Sequence, residues 1–434
     1  MTPRRLRAAR PRAGNADTHR GRPHAGRRPL GLATAVVLAL AGTVVPAGAA
    51  AGSAGGSPTS AVAAAPTKEI PAVSAPLGES RNTSFVERDG TRLVLDGETF
   101  RFSGTNIYWL GLDENVPPGV VDYPTAFRIR DAIDTASNLG VTVVRSHMLA
   151  STGTPLAILP SKEAGYNADA FASIDYAVAY AGSKGIRLVL PLTDEWAYYH
   201  GGHRDFGTPY GLCAPTTPLT PCAEFYSDPR VVADFTDYVH HVMDHVNPYT
   251  GLALKDDPTV LAWELGNELE GMTPQWIEHV ATAISERAPR QLVAAGKRFG
   301  IDDDTLASPL VDIVDVHYYP PTASGVRADA ARVTDAGKVY VAGEYASTAA
   351  TPELLEPLAA DPDVTGMMFW SLFGHDDASG LVPHDDGFTL HDPGTDDRMR
   401  GNVAAVEAYS PATYTLPASV TRAASARTPL AVGG

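Results

Sequence analysis

The chain is short of cysteine, of positive charge and of long apolar runs, and each shortage removes a class of function. Two cysteines in 434 residues, Cys213 and Cys222, cannot complete a zinc tetrahedron. Lys and Arg number 34 against 50 Asp and Glu, for a formal charge of −16. Such a surface disfavours nucleic acid, anionic membranes and polyanionic substrates, and leaves neutral small molecules and neutral glycans open. The apolar stretch from Leu30 to Leu40 is shorter than the roughly 20 residues that span a bilayer, and Gly42 and Pro46 interrupt any continuation of it. No Gly-x-Gly-x-x-Gly turn comes after the first strand-like run, which speaks against a dinucleotide-binding sheet. No His-x-His comes after it either, which disfavours a metal-dependent barrel hydrolase, so no metal and no cofactor are expected.

Acid is nearly missing from the first 49 residues, where nine arginines face Asp17 alone, so the rest of the chain stands near −24. A basic start, an apolar run and Ala47-Gly48-Ala49 make residues 1–49 an export signal. Arg27-Arg28 hints at twin-arginine export, but Pro29-Leu30-Gly31 fits that route poorly. Residues 50–80 hold mostly Ala, Gly, Ser and Pro and read as a flexible linker; 81–410 form one domain, and 411–434 a tail. The expected product is a secreted, extracellular monomer, free of the membrane after signal cleavage. In that compartment Cys213 and Cys222, nine positions apart in a Pro/Thr-rich stretch, are expected to form a disulfide.

Asp89-Gly90, flanked by Phe85-Val86 and Arg92–Leu95, signals a hairpin. After it, strand-like runs alternate with helical ones. The strand candidates are 100–106, 141–146, 187–192, 260–265, 291–295, 313–317, 339–343 and 366–371. Between them apolar residues recur at helical spacing, as at Ile129, Ile133 and Ala136, or Val231, Phe235, Val239 and Val242. Eight βα units in strict alternation predict a closed (β/α)₈ barrel.

Such a barrel gathers its chemistry at the C-terminal strand ends. The residues there are polar and aromatic: Asn106, Tyr108 and Trp109; Arg145 and His147; Asp194, Glu195 and Trp196; Asn267 and Glu268; His317 and Tyr319; Glu344; Trp370 and His375. Glu268 ends Trp263-Glu264-Leu265-Gly266-Asn267-Glu268 and Glu344 ends Val341-Ala342-Gly343-Glu344. Two carboxylates held rigidly on opposite sides of a scissile bond are what glycoside hydrolysis needs.

In Arg145, Asn267-Glu268, His317-x-Tyr319, Glu344 and Trp370, taken in order and by strand, the chain resembles glycoside hydrolase family 5 over roughly residues 85–410. Phe102-Ser103-Gly104-Thr105-Asn106-x-Tyr108-Trp109 and Trp196-Ala197-Tyr198-Tyr199-His200-Gly201-Gly202 are similar to its β-mannanase-like members in particular. The chain departs from them at Asp194-Glu195-Trp196, where asparagines often precede the tryptophan. The resemblance implies a retaining β-glycosidase acting on a neutral polysaccharide or oligosaccharide, most simply β-mannan. It implies Glu268 as general acid/base and Glu344 as nucleophile. Arg145 and Tyr319 are expected to keep Glu344 charged, and the neighbouring carboxylate to keep Glu268 protonated. Asn267 is expected to bind the sugar 2-hydroxyl, His317 to contact substrate, and Trp109, Trp196 and Trp370 to offer flat faces to sugar rings, whereas Trp263 and Trp276 read as packing.

Other readings stay open at this level. Action could be exo, or on a glucan; the barrel could bind carbohydrate without cleaving it. Arg145 could be a buried ion-pair partner of barrel carboxylates. The loop from His375-Asp376-Asp377 through His384-Asp385-Asp386 to His391-Asp392 could hold calcium, although hydrogen bonding to hydroxyls explains it without a metal.

Overall fold

A computed structural model describes residues 77–213, 222–384 and 386–413, the last three by backbone alone. The expected export signal, all but the end of the expected linker, and the tail beyond 413 lie outside the described residues. Each of the eight expected strands is present, its ends moved by up to three residues. They are β1 (Phe102–Asn106), β2 (Val143–Arg145), β3 (Arg187–Pro191), β4 (Val260–Glu264), β5 (Leu292–Lys297), β6 (Ile313–Tyr318), β7 (Val339–Ala346) and β8 (Gly366–Trp370). Each pairs in parallel with the next, and β8 pairs with β1, closing the barrel.

Helices α1 (Ala126–Asn138), α2 (Phe171–Lys184), α3 (Pro229–Asp244), α4 (Pro274–Arg287), the short α5 (Asp303–Ala307), α6 (Ala323–Asp335), α7 (Pro352–Ala359) and α8 (Asp397–Thr413) surround it. Their starts reflect side-chain capping. Thr125 accepts from the Arg128 amide, and Asp228 and Thr273 cap helices that carry proline in the first turn. The periodic residues Ile129, Ile133 and Ala136 of α1, like Val231, Phe235 and Val239 of α3, are buried in one apolar cluster with Trp263 of β4 and Trp276 of α4. No described helix is long and apolar enough to cross a membrane.

The predicted hairpin gains a third strand. Glu87–Asp89, Arg92–Leu95 and Glu98–Phe100 form an antiparallel sheet, so the run expected over 100–106 breaks at Arg101. Val86, Leu93, Leu95 and Phe100 pack with the inward Phe102, Val143, Leu261, Ile313, Val341 and Met368 into one apolar cluster. The small sheet therefore stoppers the floor of the barrel, and inward side chains nearer the mouth are free to be polar. Both ends of the described chain sit at the floor. The Arg81 amide bonds the Gly182 carbonyl, just ahead of β3, and Ser410 Oγ reaches Ser103 Oγ, 2.9 Å away at the start of β1.

One strand breaks the alternation that the others keep. In β7, Val339 and Val341 face the interior cluster while Tyr340 and Ala342 face the helices. Strict alternation would turn Glu344 outward. Instead the pairing shifts register against both neighbours, between Asp315 and His317 on β6 and between Ala342 and Tyr345 on β7 itself. Gly343 and Glu344 both face inward, and Tyr345 returns to the outer shell. The inward space beside residue 343 is already filled by the Asp315 carboxylate, so only glycine fits there.

Candidate active site

The polar layer above the apolar cluster is organised by Arg145, the last residue of β2, which is fully buried. Its Nε and Nη2 grip both oxygens of Glu264, at 2.7 and 2.9 Å. Nη2 also donates to Asn267 Oδ1 and Nη1 to Glu344 Oε1, each at 2.8 Å, while Asn106 Oδ1 and His147 Nε2 share the remaining N–H. All five guanidinium hydrogens are thus engaged. Both readings of Arg145 hold together: it is the ion-pair partner of a buried barrel carboxylate and it touches Glu344.

Glu344 also accepts from the Tyr319 hydroxyl at 2.7 Å. Glu268 lies just beyond β4 with a left-handed backbone, φ 55°, a conformation costly for a residue with a Cβ and found where structure around it enforces the placement. Its Oε2 accepts from Trp196 Nε1 at 2.6 Å and its Oε1 meets His317 Nδ1 at 2.8 Å. That same ring nitrogen lies 3.4 Å from Glu344 Oε2. One oxygen of each glutamate and the ring nitrogen fall within 4.8 Å of one another.

The charge balance differs from the expectation. Burial pushes Glu344 up to about 7, the near carboxylate of Glu268 adding to it, and His317, Arg145 and the Tyr319 hydroxyl pull the other way without prevailing. Contact with Arg145 and Tyr319 therefore does not keep Glu344 an anion across neutral pH. Burial opposes the charge on His317 as well, but there the carboxylates of Glu344 and Asp315 win and hold it well above its ordinary range. Four carboxylates, Glu264, Glu268, Asp315 and Glu344, thus share a buried layer with two cations.

Of the three expected sugar platforms, Trp109 is not one. The chain turns back after β1 and tucks the indole into the core, 1 % exposed, under the Arg128 guanidinium at 4.3 Å and beside Phe373. Trp196 and Trp370 remain half-buried at the mouth. Trp370 stacks on Tyr108 with ring centres 5.1 Å apart and donates to Asp386 at 2.7 Å. Trp196 carries Tyr198 stacked at 5.6 Å.

Several site residues escaped the sequence reading. Glu264 and Asp315 were visible as acids inside the apolar strands β4 and β6, and in β6 the inward residues Ile313, Asp315 and His317 alternate. Asp194 and His147 stood at strand ends without a role. Asp194 accepts from Asn267 Nδ2 and the Trp196 amide on Oδ1, both at 2.9 Å, and from His200 Nε2 at 2.7 Å on Oδ2, which His147 Nδ1 also faces at 3.4 Å. Glu195 next to it is buried and accepts from the Glu270 amide at 3.0 Å; burial pushes it up to about 7.

Among the described residues, acids and imidazoles gather in two places with the ligand types of a metal site, His147 with Asp194 and His200, and His317 with the two glutamates. In both, the imidazoles are already hydrogen-bonded to the carboxylates and Arg145 stands alongside, a cation that opposes a second. The 375–392 loop disperses its ligands. Asp376 caps the amides of Ala378 and Gly380, Asp377 accepts from Thr125, His375 pairs with Asp131, and His384 with Asn115. Asp385 lies outside the described residues. Cys213 and Cys222 form the expected disulfide, with Cα atoms 5.2 Å apart.

Residues 83–308 match the family described as GH family 5 beta-mannosidase-like. A putative mannan endo-1,4-beta-mannosidase of Arabidopsis thaliana is 28% identical over 221 residues, 49% of this chain and 51% of that one. A mannan endo-1,4-beta-mannosidase of Oryza sativa subsp. japonica is 34% identical over 217 residues, 48% of this chain and 44% of the other. The chain spans about half the length of these curated relatives. In fold it is similar to the endo-1,4-beta-mannanase of Rhizomucor miehei, with a TM-score of 0.61 at 24% identity, over 75% of this chain and 99% of that one.

Proposed function

Because this chain belongs to glycoside hydrolase family 5, among its β-mannosidase-like members, we propose that it is a retaining β-glycosidase that hydrolyses β-linked mannan after export from the cell. The observation that carries the reading is the closeness of Glu268 and Glu344, whose nearest oxygens lie within 4.8 Å beside one imidazole. Retaining enzymes keep their carboxyl groups about 5–5.5 Å apart, and inverting ones leave about 6.5–9.5 Å for a water. The relatives named as mannan endo-1,4-beta-mannosidases favour mannan as substrate. The disulfide and the signal-like residues 1–49 favour an oxidising, extracellular setting.

In this mechanism Glu344 attacks the anomeric carbon while Glu268 gives its proton to the leaving oxygen; Glu268 then takes a proton from the water that releases the sugar. Tyr319 and Arg145 hold Glu344 in line. Trp370 floors the subsite of the cleaved sugar, and Asn267 donates to its 2-hydroxyl. Without substrate, both Glu268 oxygens are taken up by Trp196 and His317, and burial favours a proton on Glu344. His317 Nδ1 lies within reach of both carboxylates, 2.8 Å from Glu268 Oε1 and 3.4 Å from Glu344 Oε2.

Proton NMR during the first minutes of mannan hydrolysis tests the reading. A β anomer is expected first; an α anomer first would remove Glu344 as nucleophile. Glu268→Gln and Glu344→Gln should each lower turnover on unactivated mannan at least about 100-fold with the fold intact. Near-normal turnover by either variant would overturn the assignment.

A further inference from the structure

Asp194 has a larger part than a strand-end acid needs. Backbone bonds join its segment to the residue ahead of Glu268: the Asn267 amide donates to the Thr193 carbonyl at 2.8 Å and the Glu195 amide to the Asn267 carbonyl at 2.9 Å. The side chains repeat the connection. Asn267 Nδ2 donates to Asp194 Oδ1 while Asn267 Oδ1 accepts from Arg145, so its amide cannot flip without setting donor against donor at one end and acceptor against acceptor at the other. One Nδ2 hydrogen is left over, and among the described residues no partner takes it.

Asp194 is itself held from the far side. His200 Nε2 grips Oδ2, and His147, whose Nε2 faces the donor-only Arg145, has its proton on Nδ1 toward the same oxygen. Asp194, Asn267, His147 and His200 are all nearly fully buried, so these bonds are not exchanged with water. His147 and His200 thus brace Asp194, which in turn aims Asn267.

We propose that Asp194 is a positioning residue: it fixes the Asn267 amide so that the remaining N–H meets the C2 hydroxyl of the sugar being cleaved, and it acts on turnover only through that contact. This rests on the reaction proposed above. The C2 contact strengthens as charge grows at the anomeric carbon, so a misaimed amide lowers kcat more than it raises KM. An asparagine at 194 is a poor substitute: turned to accept from Asn267 it sets its NH₂ against the His200 and His147 N–H groups, and turned to accept from those it sets its NH₂ against the Asn267 NH₂ and the Trp196 amide.

The test compares kcat/KM on 2,4-dinitrophenyl β-mannopyranoside with that on its 2-deoxy counterpart, for wild type, Asp194→Ala, Asn267→Ala and the double variant. Asp194→Ala is expected to lose about 30-fold on the parent but under about 3-fold on the 2-deoxy substrate, and under about 3-fold in the Asn267→Ala background. Equal losses on both substrates, or losses that multiply in the double variant, would overturn the proposal, because a general weakening of the mouth does not distinguish a 2-hydroxyl. Should Asp194→Ala not fold, Asp194→Asn keeps the volume and carries the same comparison. A wild type active on the parent, with multiplying losses, sinks this inference alone; a wild type inactive on both substrates and on mannan sinks the reaction and this inference with it.

Discussion

Glu344 and Glu195 are both carboxyls pushed up to about 7 by burial, and they draw the same stability consequence from different places. A free glutamate titrates near 4.5. Between that value and about 7 the folded chain keeps a proton that the unfolded chain has lost. The stability linked to each group is complete below the unfolded value and is lost as pH rises through about 7. Glu195→Gln, which can still accept from the Glu270 amide, should therefore flatten the decline. Thermal melts at pH 5 and pH 8 should differ by about 2–4 °C less than in wild type; an unchanged difference would show that Glu195 is charged in the fold. At this scale the sequence was partly legible. Glu268, Glu344, Arg145 and Tyr319 could be found because a barrel fixes where strand ends point. Trp109 could not be placed, since the loop after β1 has no periodicity to say that it folds back under Arg128. Neither could the state of Glu344, which depends on how much burial opposes its donors.

Among the elements, β7 carries the feature that a linear reading misses. The strand and its closing glutamate are evident from composition, but the doubled inward step at Gly343-Glu344 depends on what β6 places opposite it. A Cβ at residue 343 would stand 1.9 Å from Asp315 Oδ1. Gly343→Ala should cost about 1–3 kcal/mol by overpacking and lower kcat/KM at least about tenfold, because Asp315 braces His317. Gly401→Ala in α8, where a Cβ would meet nothing within 4 Å, should be neutral or stabilising by up to about 1 kcal/mol. Denaturant titration and initial rates on the two variants check both statements, and similar behaviour of the pair would remove the packing argument. The third strand of the floor sheet was likewise hidden, because Glu98–Phe100 runs into β1 with only Arg101 between them.

For the whole molecule, the order of eight strands and their helices was readable because each βα unit announces itself by a change of period, and the ring then needs no long-range guess. The disulfide lies outside that ring, in the connection between β3 and α3. Replacing Cys213 and Cys222 by Ser should lower stability by about 2–3 kcal/mol, the entropy of an open loop of that length, with two thiols titrating in wild type only after reduction. Two free thiols in untreated protein would refute the bond. The floor location of both ends of the described chain has a practical consequence. The described chain enters at Leu77 and leaves through α8 on the side away from Glu268 and Glu344. A bead, an electrode or a cellulose-seeking module joined directly at Leu77 or after α8, on a chain trimmed to the described residues, would leave the mouth turned outward to an insoluble polymer, and the barrel could be arrayed on a support in one orientation without redesigning a single loop.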